Sequence, residues 1–315
     1  MSQPVTPTYL ATLNAALARA VSAALASHTP LVQMGENIDK GSCICGLTRN
    51  LPGVLTNIGN CELTHAGTGF GLMMNGVHCV LYVKQLDFLL LALDQMANTM
   101  QLVRAQGAPV SGSFTIAAIV CDQGLQGPQS SFQGLNGICS TVRADGFAPV
   151  AKVELERIIA AQLLRPGFRI LAFSQRLFGA PVLDLPLVWE AEDQSCFQFA
   201  SGRDATIACF SFTLDSGAEL AARMAAGGRS ASLYSLHPVS PHRWERVVED
   251  AARTGRLIVF DGGKEALSPA HKLAAQVLLA APGVRVDIHT REEEAIDAVS
   301  EDRFAPPLEE LALCR

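Results

Sequence analysis

The feature that most constrains the fold is a regular alternation of apolar, strand-like runs with helical patterns in the second half of the chain. The strand-like runs are 205–210, 232–236, 257–260 and 284–288, and the helical patterns are 214–226, 240–254 and 270–280. Helices between consecutive apolar strands cover both faces of a parallel sheet. The alternation therefore predicts an α/β fold with a parallel sheet.

The first half alternates in the same way, with less regular spacing. Its helical patterns are 10–26, 62–75, 87–104 and the later part of 150–164, and its strand-like runs are 31–34, 54–56, 77–83, 114–120 and 169–173. A chain of 315 residues exceeds what one hydrophobic core comfortably fills. We therefore expect two α/β domains, 1–185 and 205–315, joined by a proline-containing linker at 186–204.

The composition limits the kind of protein. Apolar residues make up 49% of the chain and charged residues 17%, which excludes a disordered chain and indicates a large subunit interface. The net charge of −6 argues against sequence-independent nucleic-acid binding. The longest apolar runs, such as 88–93, fall far short of the ~20 residues that span a bilayer. The N-terminal stretch has no basic region typical of a signal peptide, so we expect a cytoplasmic protein.

The cysteines and glycines give no established motif. The 9 cysteines form no CxxC pair, which indicates reduced thiols, and Cys43 with Cys45 lacks a second ligand pair for a metal site. Residues 67–71 read GTGFG, which is not the dinucleotide-binding fingerprint and lies inside a helical pattern. These glycines therefore favour close packing of a helix against its neighbour.

Glu62 is the first candidate for chemistry. It is a lone acid at the start of a glycine-rich apolar helix, 62–75. Apolar surroundings raise the pKa of a carboxyl and make a hydrogen-bonded partner valuable. The alternative is an acid that interacts with the helix dipole and has no catalytic role.

The order of several segments resembles the beta subunit of the 2-oxo acid dehydrogenase decarboxylase component, and with it the C-terminal half of transketolase. The segments are TYLATLNAALARAVSAAL (8–25), LVQMGEN (31–37), CELTHAGTGFGLMMNG (61–76), DFLLLALDQMAN (87–98), TGRLIVFDGG (254–263) and RFAPPLEELAL (303–313). The resemblance implies a pyrimidine-binding domain of the thiamine diphosphate type, followed by a transketolase C-terminal-like domain.

The same resemblance assigns roles to three residues. Glu62 matches the glutamate that shares a proton with the aminopyrimidine ring of thiamine diphosphate and so activates the cofactor. Phe88 matches the aromatic residue that packs on that ring, with ordinary core packing as the alternative. Glu36 falls where the family has a polar residue near the cofactor and the subunit interface, and a purely structural role is equally open.

The diphosphate half of the site is missing from the sequence. In these enzymes a GDG motif, followed by an Asn pair, holds the diphosphate and its Mg²⁺, and this chain has only Asp261-Gly262-Gly263 with no Asn pair after it. The resemblance therefore implies an alpha-type partner subunit that carries the GDG motif, in a two-alpha, two-beta heterotetramer.

Substrate-side residues are less defined. Gln129 stands closest to the histidine that faces the substrate in the dehydrogenase beta subunits, and glutamine cannot act as an acid or carry charge. His65, one helical turn after Glu62, could supply an imidazole on the same face or be structural. His237 lies where the family often has a basic residue in the second domain.

These residues lead to one function and two alternatives. We expect a beta-type subunit that decarboxylates a 2-oxo acid, or cleaves a ketose, and transfers the acyl-carbanion equivalent to a carbonyl acceptor in preference to lipoamide. The first alternative is a standard dehydrogenase beta subunit that acts with a lipoyl carrier. The second is a non-catalytic structural or regulatory subunit that has kept the fold.

Overall fold

The computed structural model describes residues 6–107, 109–122, 134–264, 268–291 and 304–314. Within them, six parallel strands form a first sheet in the order β2-β1-β3-β4-β6-β5. Strands β3, β4 and β6 are almost wholly buried, as expected where helices cover both faces. The strands are β1 Leu31–Gly35, β2 Leu55–Asn57, β3 His78–Val83, β4 Ser113–Val120, β5 Asp145–Phe147 and β6 Gly167–Ser174.

Helices cover this sheet and complete what we call the first lobe. The first helix begins as predicted, because the Thr8 hydroxyl accepts a hydrogen bond of 3.2 Å from the amide of Ala11. The helices are α1 Tyr9–Ala26, α2 Glu62–Met74, α3 Met100–Ala105, α4 Leu135–Val142 and α5 Lys152–Gln162. The short elements β5 and α4 were not predicted from the sequence.

The long helix predicted at 87–104 is wrong in detail. The segment is a 3₁₀ helix over Leu86–Ala92, a π-type turn over Gln95–Thr99, and only then α3. Within the 3₁₀ helix the buried residues are Leu86, Leu89 and Ala92. A spacing of three matches the three residues per turn of a 3₁₀ helix, which places these side chains on one face.

A second sheet, in the order β12-β11-β9-β10-β8-β7, forms the second lobe together with its helices. Its central strands are parallel as predicted, but β8 runs antiparallel to both β10 and β7. The strands are β7 Trp189–Glu190, β8 Cys196–Ala200, β9 Ala205–Phe210, β10 Ala231–Leu236, β11 Arg256–Lys264 and β12 Arg285–Arg291. The helices are α6 Leu214–Ala226, α7 Glu245–Thr254, α8 Ala270–Ala280 and α9 Leu308–Leu313.

Two features of the second lobe differ from the sequence-based expectation. The segment 186–204, expected to be a linker, contributes β7 and β8 to the second sheet, so it is not free of secondary structure. Helix α7 begins at Glu245, not at Ser240, because residues 238–244 run as a loop that places Trp244 in the core. The domain boundaries themselves stay a prediction.

The two lobes share one hydrophobic core. Buried residues of the first sheet are continuous with residues on one face of the second sheet, including Phe197, Ile207 and Phe260. Polar contacts reinforce the junction: the amide of Gly146 donates to the carbonyl of Pro238 at 2.9 Å.

Helix α1 is an apolar element of this core. Among the described residues it is the one helix whose length and hydropathy would suffice to cross a membrane. Its stripe of Leu13, Leu17 and Val21 is fully buried. The hydroxyl of Tyr9 donates to the carbonyl of Pro149 at 2.8 Å. These contacts are typical of a helix that packs in the core of a folded domain.

Candidate functional site

An open cleft lies at the carboxyl ends of β1 and β3, in the first lobe. The chain passes from β1 outward to β2 and then returns to β3 on the other side of β1, so the strand order reverses between β1 and β3. Ligands of open α/β sheets bind at this kind of reversal. The cleft encloses about 680 Å³ of open space, its mouth included.

Glu36 reaches the cleft because strand β1 ends in close contact with β3. A Cβ atom on Gly35 would lie 2.4 Å from the carbonyl oxygen of Tyr82. Only glycine fits where two backbones approach so closely. Gly35 therefore allows the strand to end against β3, and the next residue, Glu36, lines the cleft.

Helix α2 begins at the cleft and brings Glu62 and His65 to it. Glu62 is the first residue of the helix and is half-buried, whereas His65, three residues on, is buried. Both line the cleft, as the one-turn spacing predicts. At the same helix end, hydrogen bonds with Thr64 lower the pKa of the exposed Cys61 thiol.

The 3₁₀ helix forms the apolar wall. Phe88 is half-buried and lines the cleft together with Leu89, Ala92 and Ile116. The structure thus brings Glu36, Glu62, His65 and Phe88 to one cavity, although 26 residues separate Glu62 from Phe88 in sequence. Their chemical roles stay predictions.

The charge of Glu62 acts on the carboxyl of Glu36 in the cleft. Burial raises the pKa of Glu36, the negative charge of Glu62 raises it further, and His65 acts in the opposite direction. Two carboxyl groups that share a site favour keeping a proton on one of them. The surroundings of Glu36 in the cleft therefore favour the protonated form of its carboxyl.

Lys84 also lines the cleft, and sequence reasoning missed it. It follows β3 directly, and its exposed ammonium group has no ion-pair partner among the residues that the structure describes. A charged residue immediately after an apolar parallel strand is the signal that could have identified it, since such positions face the carboxyl edge of the sheet.

The remaining candidates lie elsewhere. Gln129 lies outside the described residues. His237 is not in the cleft but fully buried between the lobes. Its Nδ1 accepts a hydrogen bond of 3.2 Å from the amide of Ala148, and its Nε2 lies 3.4 Å from Oε1 of Glu154. The neighbouring rings are those of Phe147 and Phe197, so its position is that of a core histidine.

The cysteine pair considered as a metal site is not arranged as one. The Cys45 thiol accepts a hydrogen bond of 3.8 Å from the amide of Gln175, whereas the Cys43 thiol is directed to the carbonyl of Gly41 at 3.9 Å. Across the described ranges, no group of three His, Cys, Asp or Glu side chains could hold a metal ion.

Among the glycines of 67–71, Gly69 is required for close packing, because a Cβ atom there would lie 2.3 Å from the ring of Phe114. Gly71, in contrast, has open space around its Cβ position.

Comparisons with known proteins agree with the resemblance seen in the sequence. No family model matches the chain. The beta subunit of the pyruvate dehydrogenase E1 component from Rhizobium meliloti (strain 1021) is 24% identical over 227 residues, which are 68% of this chain and 47% of that protein. The chain thus spans less than half the length of this relative.

A solved structure shares the fold over nearly the whole chain. It is described as a split gene transketolase, inactive beta4 tetramer, and it superposes with a TM-score of 0.68 at 16% identity, covering 92% of this chain and 90% of that one. The chain therefore shares its two-lobed α/β fold with this split-gene transketolase chain, and its sequence is similar to part of a pyruvate dehydrogenase beta subunit.

Proposed function

We propose that this chain is the beta-type subunit of a heteromeric thiamine diphosphate-dependent enzyme. The observation that carries the proposal is the shared cleft of Glu62, Glu36 and Phe88 at the reversal of strand order. A carboxylate at a helix start, a second carboxylate beside it and an aromatic wall fit an aminopyrimidine ring, which is flat and carries basic nitrogens.

The residues present fit one half of this cofactor. Glu62 would hold a proton at a ring nitrogen, Phe88 would pack on the ring face, and Leu89 and Ile116 would exclude water from it. Glu36, whose pKa is raised by burial and by Glu62, would keep the proton close to the Glu62 carboxyl. When bound, the cofactor supplies the carbanion chemistry that amino-acid side chains lack.

A partner subunit would complete the site. Leu90 and Leu91, beside Phe88 on the 3₁₀ helix, are 49% and 63% exposed, which leaves an apolar rim next to the cleft. Exposed apolar patches mark interaction surfaces. An alpha-type subunit with the GDG motif would cover this rim and hold the diphosphate and Mg²⁺. The split-gene transketolase of the same fold is an inactive beta4 tetramer, which supports a beta-type chain that needs its partner.

Lys84 supports a 2-oxo acid as the donor substrate. An ammonium group without an ion-pair partner in the described part of the cleft can bind a carboxylate, which a ketose lacks. For the acceptor we favour a carbonyl compound, since in the sequence Gln129 is the closest match to the family's substrate-facing histidine. Transfer to a lipoyl carrier is the alternative, and a non-catalytic subunit is the second.

The test of the catalytic assignment compares Glu62→Gln with Glu245→Gln. Both glutamates are the first residue of a helix, but Glu245 starts α7 in the other lobe. If Glu62 exchanges a proton with the cofactor, Glu62→Gln lowers turnover of the complex with its alpha-type partner by about 10²- to 10⁴-fold, whereas Glu245→Gln leaves turnover unchanged.

Calorimetric titration of thiamine diphosphate with Mg²⁺ separates the alternatives. Binding only to the complex, with turnover lost in Glu62→Gln, supports the proposal. Full turnover in Glu62→Gln would mean that Glu62 only interacts with the helix dipole. That result would favour the alternative of a non-catalytic subunit. Product analysis with a 2-oxo acid, offered an aldehyde or a lipoyl domain, then decides between the two acceptors.

A further inference from the structure

A second cavity lies between the lobes, away from the cleft. Its walls are α4 of the first lobe, the loop 238–244 and the start of α8 in the second lobe, and it encloses about 850 Å³ of open space, its mouth included. We call it the inter-lobe pocket. Pockets at the junction of two structural units are common sites for small ligands.

The inter-lobe pocket is basic. Arg143 and Lys272 line it from opposite lobes, and neither has an ion-pair partner within the described ranges. Among the residues that the structure describes, no Asp or Glu lines it. In a chain with a net charge of −6, two cations facing one cavity without a lining carboxylate are a local excess of positive charge.

The surroundings of Arg143 strengthen this excess. Arg104 of the first lobe donates a hydrogen bond to the backbone carbonyl of Arg143. Burial lowers the pKa of Arg104, and the Arg143 cation lowers it further, against the opposite effect of Asp145. Two acids hydrogen-bond to lining residues: Asp145 Oδ1 accepts from the amide of Ser240 at 3.3 Å, and Asp261 accepts from the hydroxyl of Ser268. Among the described residues, the cations Arg104, Arg143 and Lys272 thus outnumber the acids that hydrogen-bond to the lining.

Within the described ranges, His242 uses one ring nitrogen in a hydrogen bond and leaves the other without a partner. Its Nδ1 donates to the carbonyl of Val239 at 3.0 Å, and its ring stacks on Trp244 at 4.3 Å. Burial lowers the pKa of His242, and the Lys272 cation lowers it further. A bound anion would offset the charge of Lys272 and favour the imidazolium form.

Two hydroxyl groups complete the lining. Ser140 and Ser240 are exposed side chains whose hydroxyls make no hydrogen bond within the part of the chain that the structure describes, whereas Ser268 already donates to Asp261 at 2.8 Å. Arginine presents a planar fork of donors, and lysine and serine add single donors. This set suits an anion with several acceptor oxygens and more than one negative charge.

We propose that the inter-lobe pocket binds a phosphate group of a small molecule, held by Arg143 and Lys272 from the two lobes. A phosphomonoester is a dianion with three acceptor oxygens, so it matches two cations and the neighbouring hydroxyls better than a carboxylate does. The inter-lobe pocket does not overlap the cleft, because none of its residues lines the cleft of Glu62; the proposal rests on the proposed function only for the complex used in its test.

The test is calorimetric titration of inorganic phosphate into the complex saturated with thiamine diphosphate and Mg²⁺, so that the diphosphate site is filled. The variants are Arg143→Gln and Lys272→Gln. The control is Arg49→Gln, which removes an exposed arginine of the first lobe that has no part in the pocket. Loss of one charge-assisted contact weakens binding about tenfold or more, and Lys272→Arg retains most of the affinity.

Saturable phosphate binding that weakens in both variants, and not in Arg49→Gln, supports the proposal. Equal affinity in wild type and Arg143→Gln would overturn it, as would the absence of saturable binding in the millimolar range. If free chain binds phosphate and the complex does not, the basic lining is a contact for the partner subunit, which also overturns it. Because the cofactor site is filled throughout, failure here leaves the proposed function untouched.

Discussion

Helix α2 packs so closely on β4 that a single methyl group should disrupt it. An ideal Cβ on Gly69 would lie 2.3 Å from one ring carbon of Phe114 and 2.5 Å from two others. The ring cannot retreat easily, because it is fully buried and packs between Phe70 at 5.0 Å and Phe168 at 5.3 Å between ring centroids. Gly69→Ala therefore forces either the helix or the three rings to move.

The same helix provides a matched control. Gly71 lies two residues away, with nothing within 4 Å of its Cβ position. Replacing glycine by alanine inside a helix gains about 1 kcal/mol from intrinsic propensity, so Gly71→Ala should be stabilising. Overpacking a core costs roughly 1–3 kcal/mol, and the short contacts and the immobile ring place Gly69→Ala near the upper end. We expect the two variants to differ by about 3 kcal/mol.

The assay is urea denaturation followed by circular dichroism, with the midpoints of both variants compared with wild type. Gly69→Ala should lower the midpoint and Gly71→Ala should raise it. Since Glu62 starts the same helix, Gly69→Ala should also lower turnover of the complex, whereas Gly71→Ala should not. A midpoint for Gly69→Ala equal to or above that of Gly71→Ala would refute the close-packing argument.

Lys84, His237 and Glu36 each allow a further test. Lys84→Met should raise the KM for a 2-oxo acid about tenfold and leave kcat unchanged, because it removes a contact with the substrate carboxylate that is made in the ground state. An equal rise in KM for a ketose donor would contradict this contact. His237→Ala should lower the free energy of unfolding by about 3 kcal/mol, because it opens a cavity and leaves the buried Glu154 carboxyl without its imidazole neighbour. The measurement is urea denaturation, and an unchanged midpoint would contradict this expectation. Burial and the charge of Glu62 raise the pKa of Glu36, so its ionisation opposes folding. Glu36→Gln should therefore raise the urea midpoint at neutral pH. This gain in midpoint should vanish as the pH falls below the usual pKa range of a glutamate carboxyl. A gain that does not depend on pH would contradict the electrostatic explanation.

Much of the fold follows from periodicity in the sequence, because long elements carry enough residues to show it. Helices α6 and α8 and strand β9 have the predicted bounds, and α1, α2 and β4 agree within one residue. Elements that escaped prediction are short: β5 has 3 residues and α4 has 8. A two-residue strand such as β7 is defined by pairing across the sheet, which no local pattern reports.

The 3₁₀ helix shows why some local structure cannot be derived from a pattern. All residues from Phe88 to Leu93 are apolar, so the sequence does not reveal whether the buried face repeats every 3 or every 3.6 residues. The burial of Leu86, Leu89 and Ala92 depends on the elements that this segment packs against, helix α2 and strand β4.

The candidate site was predicted through family resemblance more than through residue chemistry. Glu36, Glu62, His65 and Phe88 share one cleft, a proximity that the resemblance and helical spacing implied. Lys84 was missed because one lysine after a strand looks like a surface residue until the neighbouring strand ends are known. His237 could not be separated from a functional histidine by sequence, since its burial depends on contacts between lobes.

The shared core has a consequence for how this protein can be divided or recombined. Side chains of the second sheet, such as Phe197 and Phe260, belong to the same buried cluster as the strands that carry the cleft. A fragment that ends before β7 would expose the apolar surface of the first lobe to water. The cleft therefore cannot be transferred to another protein without the second lobe. Exchange of the second lobe between related proteins would have to preserve the volume of these side chains to keep the cleft in shape.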